Sequence, residues 1–274
     1  MALNLDGDLV LAGAGNMGGA MLAGWLAGGL DPKKIIVQDP SPPPAIAALL
    51  TKHGVEAHAT LPERSVPPAV LLMAVKPQVM EDVFPPLAKR AGPGTLVLSI
   101  AAGKTIASFE KHLAPGVAVV RSIPNTPAAV GRGITVAAPN KHVTAAQRAL
   151  CDGLLGAIGE VGWVDDEALI DPVTAVSGSG PAYVFYLTEC LAAAGVKAGL
   201  SPDLAMRLAR ATVAGSGELM RQSDLGPDQL RKNVTSPNGT TYAALQVLMA
   251  DKGLGPLMDD AIAAATRRSR ELAS

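Results

Sequence analysis

Cysteine is nearly absent. Cys151 and Cys190 are the only two in 274 residues, and neither has a second Cys or a His at metal-ligand spacing, so neither a zinc site nor a disulfide framework is indicated. No metal is expected, and a reducing cytoplasm is the compartment that fits. An excess of either charge is also missing. A net charge of −1 and a pI near 6.4 leave no basic footprint for nucleic acid or for an anionic membrane surface. Charged residues make up only 17% of the chain against 49% hydrophobic, which excludes a disordered tail and points to apolar surface hidden in an oligomer. Small molecules and further copies of the chain are the expected partners. The most apolar helical stretch, 181–200, contains Glu189 and Lys197 and is loosened by Gly195 and Gly199, so it reads as an interface helix rather than a membrane span. Residues 1–8 lack a charged segment followed by an apolar core, so no secretory signal is expected. Histidine is confined to the first half, at positions 53, 58, 112 and 142. A hydroxy-acid dehydrogenase relying on a histidine in its second domain is therefore disfavoured.

What is present is an alternation of short aliphatic runs and helical stretches. Strands are expected at 9–12, 35–38, 69–74, 95–99, 117–122 and 134–137, with helices at 17–27, 44–53, 79–90, 106–112 and 145–158. Proline-rich patches at 40–44 and 62–68 read as rigid loops. Beyond Glu167 only helical periodicity remains, at 182–194, 203–221, 241–249 and 255–272. The expected fold is α/β: a doubly wound, Rossmann-like parallel sheet over residues 1–165, followed by an all-helical domain over 166–274.

Gly13-Ala14-Gly15-Asn16-Met17-Gly18 follows the first strand and opens the first helix, the context that a G-x-G-x-x-G match requires for a dinucleotide site. The first glycine permits the tight turn, the second lets backbone approach a pyrophosphate, and the third lets the helix pack closely on the strand. A purely structural glycine-rich turn is the competing reading. Asp39 closes the second strand roughly 20 residues further on, where a carboxylate accepts the adenosine ribose hydroxyls. NADH is therefore favoured over NADPH, with no Arg or Lys immediately after Asp39 to neutralise a 2′-phosphate. Ala74, Val75, Lys76 and Pro77 follow the third expected strand, and Ala101 lies in the small-residue end of the fourth, where it leaves room for a nicotinamide ring.

Ser236-Pro237-Asn238-Gly239-Thr240-Thr241 opens a helical run with hydroxyls and uncommitted backbone donors. A helix N-terminus with unpaired N–H groups receives a carboxylate without help from Arg or Lys. The plain alternative is a capped helix, with Thr235 or Ser236 as the cap and Asn238-Gly239 as a turn.

Taken together, Gly13–Gly18, Ala74-Val75-Lys76-Pro77, Pro124-Asn125-Thr126-Pro127, Ser177-Gly178-Ser179-Gly180-Pro181-Ala182 and Thr235–Thr241 closely resemble pyrroline-5-carboxylate reductase, in the same order and across nearly the whole chain. The resemblance implies reduction of Δ1-pyrroline-5-carboxylate to L-proline by NADPH or NADH, the last step of proline synthesis. It also implies a C-terminal domain that pairs with a partner chain. By matching positions, Ser236, Thr240 and Thr241 hold the substrate, Asn233 lies near the pocket, and Thr241 hydrogen-bonds the ring nitrogen. Asn16 and Met17 join the three glycines in the cofactor set. Two positions depart from the family pattern. Asn238 replaces the first of two glycines, a substitution the turn accommodates if Asn takes a left-handed backbone. Leu61 stands where relatives carry an Asn near the cofactor ribose. Two rival readings remain: a related two-domain reductase acting on another imine or hydroxy acid, and a non-catalytic nucleotide-binding sensor.

Overall fold

A computed structural model describes residues 5–62 and 66–273. Residues 1–4, which bear on the secretory-signal expectation, and residues 63–65 of the second proline-rich loop lie outside the described residues. The chain separates into two compact units, one formed by 1–178 together with 266–274 and the other by 179–265.

The first unit holds one eight-stranded sheet, built from β1 (Leu9–Ala12), β2 (Ile35–Gln38), β3 (Ala57–His58), β4 (Val70–Met73), β5 (Leu96–Ser99), β6 (Ala118–Ile123), β7 (Gly133–Pro139) and β8 (Gly159–Trp163). Their order is β3-β2-β1-β4-β5-β6-β7-β8. β1 pairs in parallel with both β2 and β4, so the direction of winding reverses at β1. In open α/β sheets ligands bind beyond the carboxyl ends of the strands at such a reversal. Every neighbouring pair is parallel except β6–β7. The segment joining these two strands is occupied by a tight 3-10 turn over Thr126–Val130 and is too short for a crossover helix, so the chain doubles back.

The central strands β1 and β4 are apolar at every position, and β5 at all but its final Ser99, because both faces are covered. On one face Leu9, Leu11, Leu72 and Leu98 pack with Met21, Leu22 and Trp25 of α1 (Asn16–Ala27) and with Leu154 and Leu155 of α5 (Ala145–Gly156). The buried Trp25 indole donates to the Leu154 carbonyl at 2.8 Å. On the other face Val10, Leu71, Met73 and Val97 meet Phe84 of α3 (Met80–Ala88) and Phe109 of α4 (Ile106–Glu110), whose rings stand edge to face 4.9 Å apart. Cys151 is fully buried in α5, and burial pushes its thiol up to about 12, so it serves as a packing residue. α2 (Pro44–His53) begins on the proline-rich loop because Pro44 fits the first helical position, and it ends on Gly54 at φ 66°.

β3 and β8 were not expected from the pattern. β3 is two residues long, and β8 interrupts its apolar residues with Gly159, Glu160 and Gly162. Gly159 is needed there: at φ 147° its backbone passes so close to Gly133 that a Cβ would lie 1.8 Å from the Gly133 carbonyl oxygen.

After β8 the chain forms α6 (Ile170–Val173) and a π-helical turn over Thr174–Gly178. Just before them Glu167 accepts from the Arg121 guanidinium at 3.0 Å and from the Ile106 N–H at 2.8 Å. Arg121 is 3% exposed, and its Nε and Nη2 have no other partner among the described residues. Removing the carboxylate leaves a buried, uncompensated cation, which costs about 3–5 kcal/mol. Glu167→Ala is therefore expected to lower unfolding free energy in urea by about 3 kcal/mol or more, with Glu167→Gln milder because it retains an acceptor. A loss below about 1 kcal/mol in Glu167→Ala, the range of an exposed ion pair, would contradict this account.

The second unit contains α7 (Gly180–Lys197), α8 (Pro202–Gln222), α9 (Pro227–Asn233), α10 (Thr240–Leu248) and most of α11 (Leu254–Ala273). α7 and α8 approach through small residues: Ala192, Ala205 and Ala209 are its buried apolar residues, and Gly195 lies against Ala205. Large apolar side chains stay outside, among them Phe185 (62% exposed), Tyr186 (66%), Val247 (72%) and Leu257 (65%). That much apolar surface marks an interaction face rather than a finished fold. Among the described residues no helix is long and apolar enough to cross a membrane. α9, with Leu230 as its one large aliphatic side chain, carries no apolar stripe and was not expected.

Candidate active site

The glycine loop is built at the β1 end of the sheet. Gly13 sits at φ 92°, and its N–H donates to the Gln38 carbonyl at 2.9 Å. A Cβ there would lie 2.8 Å from the Val75 N and 2.9 Å from the Ala74 carbonyl oxygen, so only glycine lets the β1 and β4 loops run side by side. At Gly18 a Cβ would lie 2.1 Å from the Gly13 carbonyl oxygen, which seats α1 directly on the turn. Gly15 differs, because a Cβ there meets nothing within 4 Å. It caps α1 without a side-chain hydrogen bond, no acidic residue stands in the first turn, and the N–H groups of Asn16, Met17 and Gly18 find no acceptor among the described residues. Open space above unpaired donors at the positive end of a helix dipole suits a phosphate. The residues present thus fit a dinucleotide pyrophosphate.

Asp39 is half-buried at the end of β2. Its Oδ2 accepts from the Ala14 N–H at 2.7 Å and its Oδ1 from the Ser41 N–H at 2.9 Å. It therefore fastens the glycine loop, a duty that its position after the strand did not reveal, and each oxygen keeps a lone pair for a hydroxyl donor. Ala74, Val75, Lys76 and Pro77 leave β4 beside this loop, with the Ala74 N–H donating to the Ala12 carbonyl at 2.8 Å. Lys76 is exposed and opens the short turn Pro77–Val79. Ala101 is buried after β5, where its N–H donates to Ser99 Oγ at 3.2 Å, and Ser122 Oγ ties β6 to the Ser99 carbonyl at 2.9 Å. Leu61 packs against the second core face and offers no polar side-chain atom.

In the helical unit the expected carboxylate site falls at the start of α10. Asn238 is the one non-glycine residue with positive φ, 58°, among the described residues, so it adopts the left-handed backbone its position demands. The cap is Gly239, not Thr235 or Ser236. Thr235 Oγ1 instead donates back to the Arg231 carbonyl at 2.6 Å, and Gly239 makes no side-chain cap bond. A Cβ on Gly239 would lie 2.4 Å from Ser236 Oγ, so the missing side chain is what brings the Ser236 hydroxyl over the helix start. The N–H groups of Thr240, Thr241 and Tyr242 find no acceptor among the described residues, and no acidic residue stands in the first turn. Ser236, Thr240 and Thr241 thus come together around open donors. Asn233 ends α9 and accepts from Gln229 Nε2 at 2.8 Å.

The reversal point at β1 and its open glycine loop define the class: a protein with a Rossmann-like dinucleotide domain. Residues 9–103 match the family model described as NADP oxidoreductase, coenzyme F420-dependent, and residues 167–272 match the one described as pyrroline-5-carboxylate reductase dimerisation. A pyrroline-5-carboxylate reductase from Pseudomonas aeruginosa is 40% identical over 265 residues, 97% of this chain and 96% of that protein. A solved pyrroline-5-carboxylate reductase from Coxiella burnetii superposes with a TM-score of 0.90 at 34% identity, covering 98% of this chain and 99% of the other. The Plasmodium falciparum enzyme, solved with NADP bound, reaches a TM-score of 0.78 at 27% identity and covers each chain completely. The chain belongs to the pyrroline-5-carboxylate reductase family.

Proposed function

We propose that this protein reduces Δ1-pyrroline-5-carboxylate to L-proline with NADPH or NADH, the final step of proline biosynthesis, as a cytoplasmic homo-oligomer joined through its C-terminal helices. Residues 1–165 serve as the dinucleotide domain and 166–274 as the domain for substrate and self-association. The observation that carries this reading is the pair of uncapped helix starts, at Gly15 and at Gly239, within a chain that matches this family along nearly its whole length.

When bound, the nicotinamide cofactor supplies hydride. The remaining work falls to the chain. Gly13, Gly15 and Gly18 shape the loop, and the N–H groups of Asn16 and Met17 receive the pyrophosphate. Asp39, Ala74, Val75, Lys76, Pro77 and Ala101 line the ribose and nicotinamide side. Ser236, Thr240 and the open N–H groups of α10 hold the substrate carboxylate, each hydrogen bond to a charged group contributing about 1.5–3 kcal/mol. Thr241 hydrogen-bonds the ring nitrogen, and Asn233 borders the pocket. A protonated imine already accepts hydride readily, so positioning dominates and a strong general base is unnecessary. Neither helix start offers His, Asp or Glu in its first turn, in keeping with that demand.

The test is oxidation of NADH and NADPH by the purified protein with a substrate panel. Turnover of the cyclic imine to proline is expected; oxidation of a 3-hydroxy acid with no imine turnover overturns the reading. Asp39 also predicts that NADH is used more efficiently than NADPH, because a 2′-phosphate about 4 Å from a carboxylate is repelled by about 4 kcal/mol at an effective dielectric near 20. Asp39→Asn is expected to reduce the NADH-to-NADPH ratio of kcat/KM by about tenfold, part of that repulsion. An unchanged ratio removes Asp39 from cofactor choice.

A further inference from the structure

Pro124-Asn125-Thr126-Pro127 has no part in the chemistry proposed so far, and the fold of the first unit sets it on the rim of the nucleotide crevice. β6 runs parallel to β5 with Arg121 paired to Ser99, and Ser122 Oγ donates to the Ser99 carbonyl at 2.9 Å. Carried two residues further, that register sets Ile123 level with Ala101. The chain therefore leaves β6 at the same edge of the sheet as the small residues expected to face the nicotinamide. The 3-10 turn that follows packs against α1, and its Ala128 is buried in the core cluster that holds Ala14 and, at its margin, Met17. Within the first unit this segment thus flanks both the end of β5 and the helix that carries the glycine loop.

Asn125 organises it with both of its carbonyl oxygens. β6 and β7 are antiparallel with Ile123 opposite Val136, so Asn125 falls opposite Ile134. There the side chain takes the place of the main chain: Asn125 Oδ1 accepts from the Ile134 N–H at 2.9 Å. The Asn125 main-chain carbonyl accepts instead from the Ala128 N–H at 3.1 Å, which closes the turn. Pro124 and Pro127 hold φ near about −65° on either side and supply no N–H of their own. Gly131 ends the turn at φ 65°, and a Cβ on Gly133 would lie 3.0 Å from the Ala128 N, so the turn is braced on the start of β7. Thr126, between the prolines, is exposed. A loop of about two to five residues joins antiparallel strands without such bracing, so the rigidity answers a demand other than connection.

We propose that Asn125 is a positioning residue for the nicotinamide half of the cofactor: its Oδ1 bond to the Ile134 N–H holds residues 124–126 as a preformed wall against which the ring seats. A wall already ordered before binding spares the ligand the cost of ordering it. The proposal rests on the reductase reading only in taking a nicotinamide dinucleotide as the ligand, and it needs nothing from the helical unit.

The experiment measures, on the full chain, the affinities for NADH and for ADP-ribose, which shares the adenosine, pyrophosphate and second ribose but lacks the nicotinamide. NADPH and 2′-phospho-ADP-ribose form a second pair, and the more tightly bound pair is the one compared. The ratio within a pair reports the nicotinamide half alone. The unaltered protein is expected to bind the complete dinucleotide more tightly. Asn125→Ala is expected to cut that ratio by about tenfold, the scale of one lost hydrogen bond, with ADP-ribose affinity unchanged. Asn125→Asp keeps an acceptor for the Ile134 N–H, and repulsion from its charge acts on the pyrophosphate common to both ligands, so its ratio is expected within about threefold of the original. Asn125→Gln moves the amide out on a longer arm and is expected to lose about as much as the alanine variant, tenfold on the same scale, so the test survives if Asn125→Ala does not fold. An unchanged ratio in Asn125→Ala, or in Asn125→Gln where it replaces it, overturns the proposal. Equal loss for both ligands overturns it as well, because that is general damage. A ratio in Asn125→Asp as low as in Asn125→Ala removes the role of Oδ1, and equal affinity of the unaltered protein for both ligands removes the wall. Failure to turn over the imine brings down the reductase reading alone, since these affinities are read without substrate.

Discussion

Gly15→Val is expected to weaken dinucleotide binding by about a hundredfold or more while the protein stays folded. A Cβ at this position meets nothing within 4 Å, and its φ of −67° is on the negative side that L-residues occupy, so the native packing offers no objection. The space it fills is the approach to the unpaired N–H groups of α1. Screening even one hydrogen bond to a charged phosphate forfeits about 1.5–3 kcal/mol, and a hundredfold in affinity is about 2.7 kcal/mol. Gly13→Val and Gly18→Val make the contrast, since they collide with backbone at 2.8 Å and 2.1 Å and so attack the fold itself. Titration of NADPH and NADH alongside thermal unfolding separates the two kinds of damage. Normal cofactor affinity in folded Gly15→Val would contradict the placement of the pyrophosphate.

Thr241→Ala is expected to reduce kcat by about a hundredfold with cofactor affinity unchanged. Thr241 is the second residue of α10 and half-buried, and alanine is the better helix former, so stability is not the route of damage. On the proposed reading, what is removed is the hydroxyl that hydrogen-bonds the ring nitrogen. Deleting one donor aimed at developing charge typically costs about 10²–10³ in kcat. Thr241→Ser keeps the hydroxyl and is expected to recover most of the rate. Steady-state kinetics with the cyclic imine, paired with cofactor titration, checks this, and unchanged kinetics in Thr241→Ala would remove the residue from the chemistry.

The parts of this molecule that sequence made legible are those written in local pattern. β1 and β2 were expected with the bounds observed, and β4, β5, β6 and β7 within a few residues, because each is built mainly of β-branched and other aliphatic residues. The glycine loop was legible because each glycine answers a separate steric demand. The left-handed backbone of Asn238 was legible because few side chains tolerate it. Features that depend on distant partners were hidden. β8 exists because Gly159 nests against Gly133, a backbone contact with no apolar signature. Asp39 was read as a ribose ligand, although its carboxylate also receives the Ala14 N–H from 25 residues away. Arg121 and Glu167 lie 46 residues apart, and nothing local to either signals that the fold buries the arginine against that carboxylate. The start of α10 was expected within one residue, at 241 against the observed 240, and the plain alternative of a cap on Thr235 or Ser236 fails for a local reason. Thr235 and Ser236 are good caps by type, but Thr235 turned back onto α9 and the cap fell to a glycine, leaving the donors open.

The central claim is that a dinucleotide seated on the α1 start delivers hydride to a small cyclic acid seated on the α10 start. A crystal structure of the assembled protein with NADP and L-proline tests it most directly. The account predicts pyrophosphate oxygens on the Asn16 and Met17 N–H groups, the proline carboxylate on Ser236, Thr240 and the α10 donors, and Thr241 Oγ1 within hydrogen-bond reach of the ring nitrogen beside the nicotinamide. Proline bound elsewhere, with Thr241 remote from the nicotinamide in every protomer and across every subunit contact, would contradict it.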